Sequence, residues 1–241
     1  MLKEQKKVQG IFNEQTMVYL SKFYNQGIID KLGSPTARGK EADIYMATAG
    51  KSDKVKGDYV IVKFFRVETT SFIKMADYLL GDPRFSRKAT RKKKMGIILE
   101  WCKKEYGNLE LAGRAGVKAP RPYMFNGTIL AMEFIGTGNV PAPQLKYVEL
   151  DDPEKTMEKI LGSMRALYSR KLVHADMSEY NILINGEEQE PYLIDFGQGV
   201  ILEHPQSGAF LERDTNNILN YFAKRYGIER DFEKTLRYIT G

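Results

Sequence analysis

The 241-residue chain has little of what staples small folds or anchors structural metals. A single cysteine, Cys102, cannot close an internal disulfide, and two histidines, His174 and His204, cannot supply a zinc site of ordinary spacing. That scarcity points to a reducing, cytoplasmic setting and a fold held by its own core. No run approaches the ~18 apolar residues that span a bilayer, and Met1–Gly10 has no apolar centre of a secretory signal. Export and membrane insertion are therefore not expected. Repeats and low-complexity tracts are absent as well, apart from one basic run. What remains is ordinary in bulk: 42% hydrophobic and 28% charged residues, which excludes wholesale disorder. At about 100–200 residues per domain, this length gives one larger domain or two small lobes.

The net charge of +6 is concentrated in one place. Between Arg84 and Lys94 stand seven basic residues and no acid, and without them the chain would be close to neutral. Such a block reads either as a solvated loop or as a contact for RNA phosphates, and one segment can be both.

Periodicity divides the chain into two halves. Residues 14–32 read as helical, in two pieces broken at Gly27, with Met17, Leu20, Phe23 and Tyr24 at helical spacing. After Gly33-Ser34-Pro35, the runs 41–48 and 59–65 have strand character and predict an antiparallel hairpin. Helical patterns return over 71–80 and 95–115, and strands over 123–125 and 128–132, joined by the turn signal Asn126-Gly127. A Gly/Pro-rich stretch, 136–143, marks a linker. Beyond it Asp152-Pro153 opens a helix striped by Met157, Ile160, Leu161, Met164 and Leu167. Two short strands, 181–184 and 192–195, come next, and helices close the chain after Pro205. The expectation is an α+β protein with a β-rich lobe over about 14–135, a hinge over 133–143 and a helical lobe over 144–241.

Four features carry chemistry, in an informative order. The loop Ser34–Glu41 offers small and hydroxylated residues to phosphate oxygens, with Ser34, Thr36 and Lys40 as donors. Lys63 ends a buried strand, where an ammonium is costly unless it meets an anion. Glu105 and Glu110 are the inward candidates for that anion; Glu105, four residues from both Trp101 and Leu109, is preferred. The segment Leu172–Ile184 places Asp176 and Asn181 at the two ends of one tight loop. Asp195-Phe196-Gly197 then ends a strand in an acid and a glycine turn, 19 positions after Asp176, a gap that one hairpin fills. A carboxylate beside an amide oxygen is a hard ligand pair suited to Mg²⁺.

Taken in order, a Gly-containing loop, strand Lys, helix Glu, loop Asp with Asn five residues on, and Asp-Phe-Gly match the phosphoryl-transfer template of protein kinases. The chain resembles the RIO family of atypical serine/threonine protein kinases, its type-one subfamily most closely. The resemblance is carried by Gly39–Tyr45, Lys104–Leu109, Met132–Gly136 and Leu172–Leu183, and it extends over about residues 14–222. No winged-helix region precedes it, which argues against the type-two subfamily.

The resemblance implies a two-lobed kinase-like fold that binds ATP with Mg²⁺, or Mn²⁺ in its place. Lys63 would hold the α/β-phosphates and pair with Glu105. Asp176 would orient or accept the substrate hydroxyl proton, and Asn181 and Asp195 would bind the metal. Met132 would be the gatekeeper, the main chain of Glu133 and Ile135 would meet adenine, and Ser34, Thr36 and Lys40 would line the triphosphate. Ser86 and Thr90 would be autophosphorylation sites. The family likeness further implies a protein substrate and a role in small ribosomal subunit maturation, with the pre-ribosomal particle and its rRNA met through Arg84–Lys94. Three departures from ordinary kinases stand out: no three-glycine loop, Ala175 where many kinases carry arginine, and only 46 residues after Asp195. The last leaves an activation loop and peptide-docking helices unprovided for. Two other readings stay open, an ATPase-type ribosome assembly factor and a small-molecule phosphotransferase of the aminoglycoside-kinase kind.

Overall fold

The structure is a computed structural model that describes residues 13–66, 72–85 and 94–241. Ser86, Thr90 and the interior of the basic segment lie outside the described residues. Helix α1, Glu14–Asn25, is opened by Asn13, whose side chain accepts the Thr16 N–H at 2.8 Å. It buries Leu20 and Phe23 and stops where Gly27 takes a φ of 64°.

The helical reading fails beyond Gly27. Strand β1 instead runs from Ile29 to Arg38, pairing antiparallel with β2, Ala42–Ala49. Irregular register between Ile29 and Lys31 adds a residue, so the buried positions Ile29 and Leu32 fall three apart and imitate a helix. Pro35 sits at two further register shifts on this edge strand, where its missing N–H is tolerated. Much of the expected Ser34–Glu41 loop is therefore strand, and the turn shrinks to Gly39–Glu41.

Strand β3, Tyr59–Phe65, completes the expected hairpin with β2. Strands β4, Pro122–Asn126, and β5, Ile129–Glu133, add a second hairpin, giving a five-stranded sheet of order β1-β2-β3-β5-β4. One face of the sheet packs on α1 through Tyr45, Val60, Val62, Phe64 and Ile129. Two helices, α2 over Phe72–Leu80 and α3 over Lys94–Arg114, belong to the second core.

A short ribbon, β6 (Gly136–Thr137) with β7 (Val140–Pro141), leads out of the hinge. Helix α4, Pro153–Ser169, begins at Asp152, whose carboxylate accepts the Lys155 N–H, and buries the whole expected stripe. Strands β8 (Leu172–Val173) and β11 (Val200–Ile201) pair, as do β9 (Ile182–Asn185) and β10 (Glu190–Leu193). Helices α5, Ser207–Tyr226, and α6, Phe232–Thr240, close the lobe. Ile98, Trp101 and Leu109 of α3 share one core with Met157, Ile160, Ile182, Phe196, Ile218 and Phe222, so α3 ties the two lobes together. Among the described residues no helix is long and apolar enough to cross a membrane.

Two glycines in αL turns separate backbone strain from crowding. Gly186 has φ 72° and open space where a Cβ would go, whereas at Gly127, φ 60°, a Cβ would fall 2.2 Å from the Tyr19 ring. Gly186→Ala should cost about 1 kcal/mol and Gly127→Ala about 1–3 kcal/mol more, read by chemical denaturation. Equal losses would show that Tyr19 does not restrain the β4–β5 turn.

Candidate active site

The lobes enclose a cleft of about 650 Å³. Its walls are apolar, with Ala42, Ile44, Ile61 and Met132 from the sheet and Leu183 and Ile194 from the helical lobe. Its polar end gathers Lys63, Glu105, Asp176, Asn181 and Asp195 from four separate stretches of chain.

Lys63 is the hub. Only 8% exposed, its Nζ donates at 2.8 Å to both oxygens of Glu105 and at 2.8 Å to Oδ1 of Asp195. Burial opposes its charge, but the two carboxylates outweigh it and raise its pKa, so the ammonium stays protonated. The same ammonium holds the Asp195 carboxyl below its usual range. Glu105 is buried on α3; Glu110, the other inward candidate, is instead beside Tyr106.

Asp195 reaches the site because pairing of Ile182 with Leu193, continued by the Ile194 N–H to the Asn181 carbonyl at 2.9 Å, sets it beside Asn181. Its own φ of 63° turns the side chain out of the strand direction. Asn181 donates through Nδ2 to the Asp176 carbonyl at 2.7 Å and to Asp176 Oδ2 at 3.0 Å. Its amide oxygen is thereby left on the side opposite the donated bonds. Burial raises the Asp176 carboxyl, and the Asp195 charge adds to this. One carboxylate and one amide oxygen suit Mg²⁺, which takes few protein ligands and fills its octahedron with phosphate oxygens and water. Among the described residues no group of three or more His, Cys, Asp or Glu is placed so that it could hold a metal ion by itself.

Of the other expected residues, Thr36, Lys40, Met132, Glu133 and Ile135 line the cleft. Ser34 does not: it is exposed on β1, outside the lining, because that stretch is strand rather than loop. Thr36 spends its hydroxyl on the Ile44 carbonyl at 3.2 Å.

Sequence reading missed the supports. Asp214 on α5, 1% exposed, accepts the Ala175 N–H at 2.7 Å and the Met177 N–H at 3.0 Å, while Arg213 donates to the Ala175 carbonyl. Ala175 has φ 61°, a conformation that costs about 1–2 kcal/mol, and these bonds hold it there. The one available signal was an acid in the apolar spacing Leu211, Ile218 and Phe222 of α5. His174 ties the two loops together: its Nε2 lies 3.0 Å from the Ile194 carbonyl and its ring is 4.6 Å from that of Phe196.

A five-stranded lobe and a helical lobe closing on a Lys–Glu–Asp triad, with an Asp/Asn loop opposite, define a protein-kinase architecture. The family model described as "RIO domain" matches residues 43–235. The RIO-type serine/threonine-protein kinase Rio1 of Thermoplasma acidophilum is 41% identical over 196 residues, covering 81% of this chain and 98% of its own length. Its namesake from Haloferax volcanii is 36% identical over 233 residues, covering 97% of this chain and 77% of its own. A crystal structure of the Chaetomium thermophilum Rio2 kinase in an ADP/Mg2+-phosphoaspartate complex superposes with a TM-score of 0.69 at 20% identity, over 92% of this chain and 66% of that one. The chain belongs to the RIO domain family, in its Rio1-like branch, and is a protein kinase of that type.

Burial drives the His174 pKa from 6.5 down to about 4, so the ring is neutral in the folded protein and donates from Nε2. Between those values the unfolded chain binds the extra proton, so this contribution to stability is present above pH 6.5 and is lost as pH falls toward 4. Replacing His174 with Gln should flatten the pH dependence of unfolding in that window by up to about 1.4 kcal/mol per pH unit. A variant with the wild-type slope would mean that another group carries the acid sensitivity.

Proposed function

We propose that this chain transfers the γ-phosphoryl group of ATP to serine or threonine hydroxyls, with Mg²⁺ as the metal. The observation that carries the reading is the Lys63 ammonium held at 2.8 Å from carboxylates of both lobes, a charged donor already aimed into the cleft. Adenine would lie between the apolar walls and meet the hinge backbone. The Phe65 N–H bonds the Thr128 carbonyl, so alternation along the β3–β5 ladder makes Val60 and Glu133 a non-hydrogen-bonded pair. The Glu133 N–H goes to Arg121 and the Ile135 carbonyl accepts from Ala142. The Glu133 carbonyl and the Ile135 N–H are therefore the hinge groups on offer to the base.

At the other end, Lys63 would grip the phosphates, with Thr36 and Lys40 above them. Asp195 and the Asn181 amide oxygen would hold Mg²⁺, which supplies neutralisation of charge on the transferring group. Asp176 has Oδ2 occupied by Asn181, so Oδ1 is the atom that would accept the substrate hydroxyl proton. Its raised pKa makes it a stronger base than a free aspartate.

The setting we propose is small ribosomal subunit maturation, with rRNA met by Arg84–Lys94 and autophosphorylation at Ser86 or Thr90. The basic run and the Rio1-like placement support it. A second reading, an ATPase that times departure from a ribosomal particle, is favoured by the short stretch Phe196–Gln206 between Asp195 and α5, which leaves no platform for an extended peptide. In that reading the same residues act on water.

ATP hydrolysis and protein phosphorylation, measured side by side with and without small-subunit particles, separate the two readings. Asp176→Ala should lower both by about 10²–10⁴-fold while leaving nucleotide binding intact. Hydrolysis that far exceeds transfer and rises only with particles would select the ATPase; full transfer by Asp176→Ala would overturn the assignment of the base.

A further inference from the structure

Helix α3 buries a second lysine one residue from Glu105. Lys104 is 1% exposed, and its Nζ donates to the carbonyls of Gly197 at 2.8 Å and Gly199 at 2.5 Å, in the turn just after Asp195. Among the described residues no carboxylate lies within ion-pair distance of it. One turn along the same face, Asn108 is fully buried and donates through Nδ2 to the carbonyls of Phe196 and Gly199, each at 2.8 Å. The Asn108 carbonyl oxygen accepts from Arg84 at 2.9 Å, which fixes the amide the right way round. Three carbonyls of one turn are thus held by two side chains of one helix. Burial pushes the Lys104 pKa down to about 7, so a lysine is an expensive way to satisfy carbonyls in a core, where a neutral donor would do.

We propose that Lys104, with Asn108, is a positioning residue that holds the Phe196–Gly199 turn so that Asp195 faces the metal and nucleotide. Asp195 is in the αL region with φ 63°, so its direction depends on how the next four residues are held. The turn has no slack on its other side: a Cβ on Gly197 would meet Trp101 Nε1 at 2.9 Å and Glu105 Oε2 at 3.2 Å. The clamp and the Lys63–Glu105 pair share one helix face, so the ammonium that grips phosphate and the carboxylate that holds metal are set by the same element. Trp101, the only tryptophan of the chain, lies 5.1 Å from the Lys104 Nζ and against Gly197, so its emission reports on the turn.

This inference rests on the proposed nucleotide–metal site, and the test separates the two. ADP binding is titrated with EDTA and with Mg²⁺ for the full chain, for Lys104→Met and for Asn108→Ala, with Trp101 emission and thermal unfolding recorded in parallel. Wild type should bind ADP more tightly with Mg²⁺; if it does not, the proposed site fails before the clamp is tested. Given that gain, Lys104→Met should keep its metal-free ADP affinity within about twofold and lose about tenfold of the Mg²⁺-dependent gain, with a shifted Trp101 emission. Asn108→Ala should move the same way by less, and it decides the matter if Lys104→Met does not fold. A folded variant with the wild-type Mg²⁺ gain, or one that weakens ADP equally with and without metal, would overturn the proposal.

Discussion

A single buried ammonium organises this protein. Lys63 reaches Glu105 across 42 positions of sequence and Asp195 across 132, so one charge ties together the sheet, the central helix and the far lobe. Neither acid alone would make the arrangement sound: burying the ammonium with one partner leaves Asp195 free to turn, and burying Glu105 without the ammonium leaves a bare charge in the core. With both, the ammonium stays charged and holds Asp195 ionised, while it offsets part of the burial that pushes the Glu105 carboxyl up. The pair is also why the cleft is ready for a polyanion, since an incoming phosphate can share an ammonium that is already desolvated and aimed.

The reactive loop shows the complementary problem, strain that must be held. Ala175 and Asp195 both take φ near 60° without being glycine. Each is fixed from outside its own segment: Ala175 by Asp214 and Arg213 of α5, and the Asp195 turn by donors from α3. The two helices thus act as rigid backing for two short loops, one carrying the proposed base and the other the proposed metal ligand. His174 links the loops directly through the Ile194 carbonyl, so they do not move independently.

Much of this was legible in the residues themselves. Strand alternation, the Asn126-Gly127 turn, the α4 stripe and the spacing of Asp176, Asn181 and Asp195 all had local signatures, and Glu105 could be chosen over Glu110 because it shares a face with Trp101 and Leu109. The N-terminal segment misled because bulged pairing in β1 places buried residues three apart, the interval of a helix. Ser34 was misplaced because Gly33-Ser34-Pro35 reads as a loop, whereas β1 runs through it. Asp214 and Lys104 escaped notice on different grounds: their partners are backbone carbonyls and N–H groups far along the chain, and backbone atoms leave no trace in a sequence. A single Asp or Lys in a helix reads as solvated surface until the fold turns it inward.

The placement of α3 gives these parts a common logic. Trp101, Lys104, Glu105 and Asn108 recur at intervals of three and four and so share one face of one helix. That face meets the sheet through Glu105 and the far lobe through Lys104 and Asn108. A small rotation of α3 would break the ion pair and release the turn carbonyls together, because packed side chains switch between arrangements and do not stretch. The proposed grips on nucleotide and metal are therefore not separate achievements of this fold; both follow from where one helix sits.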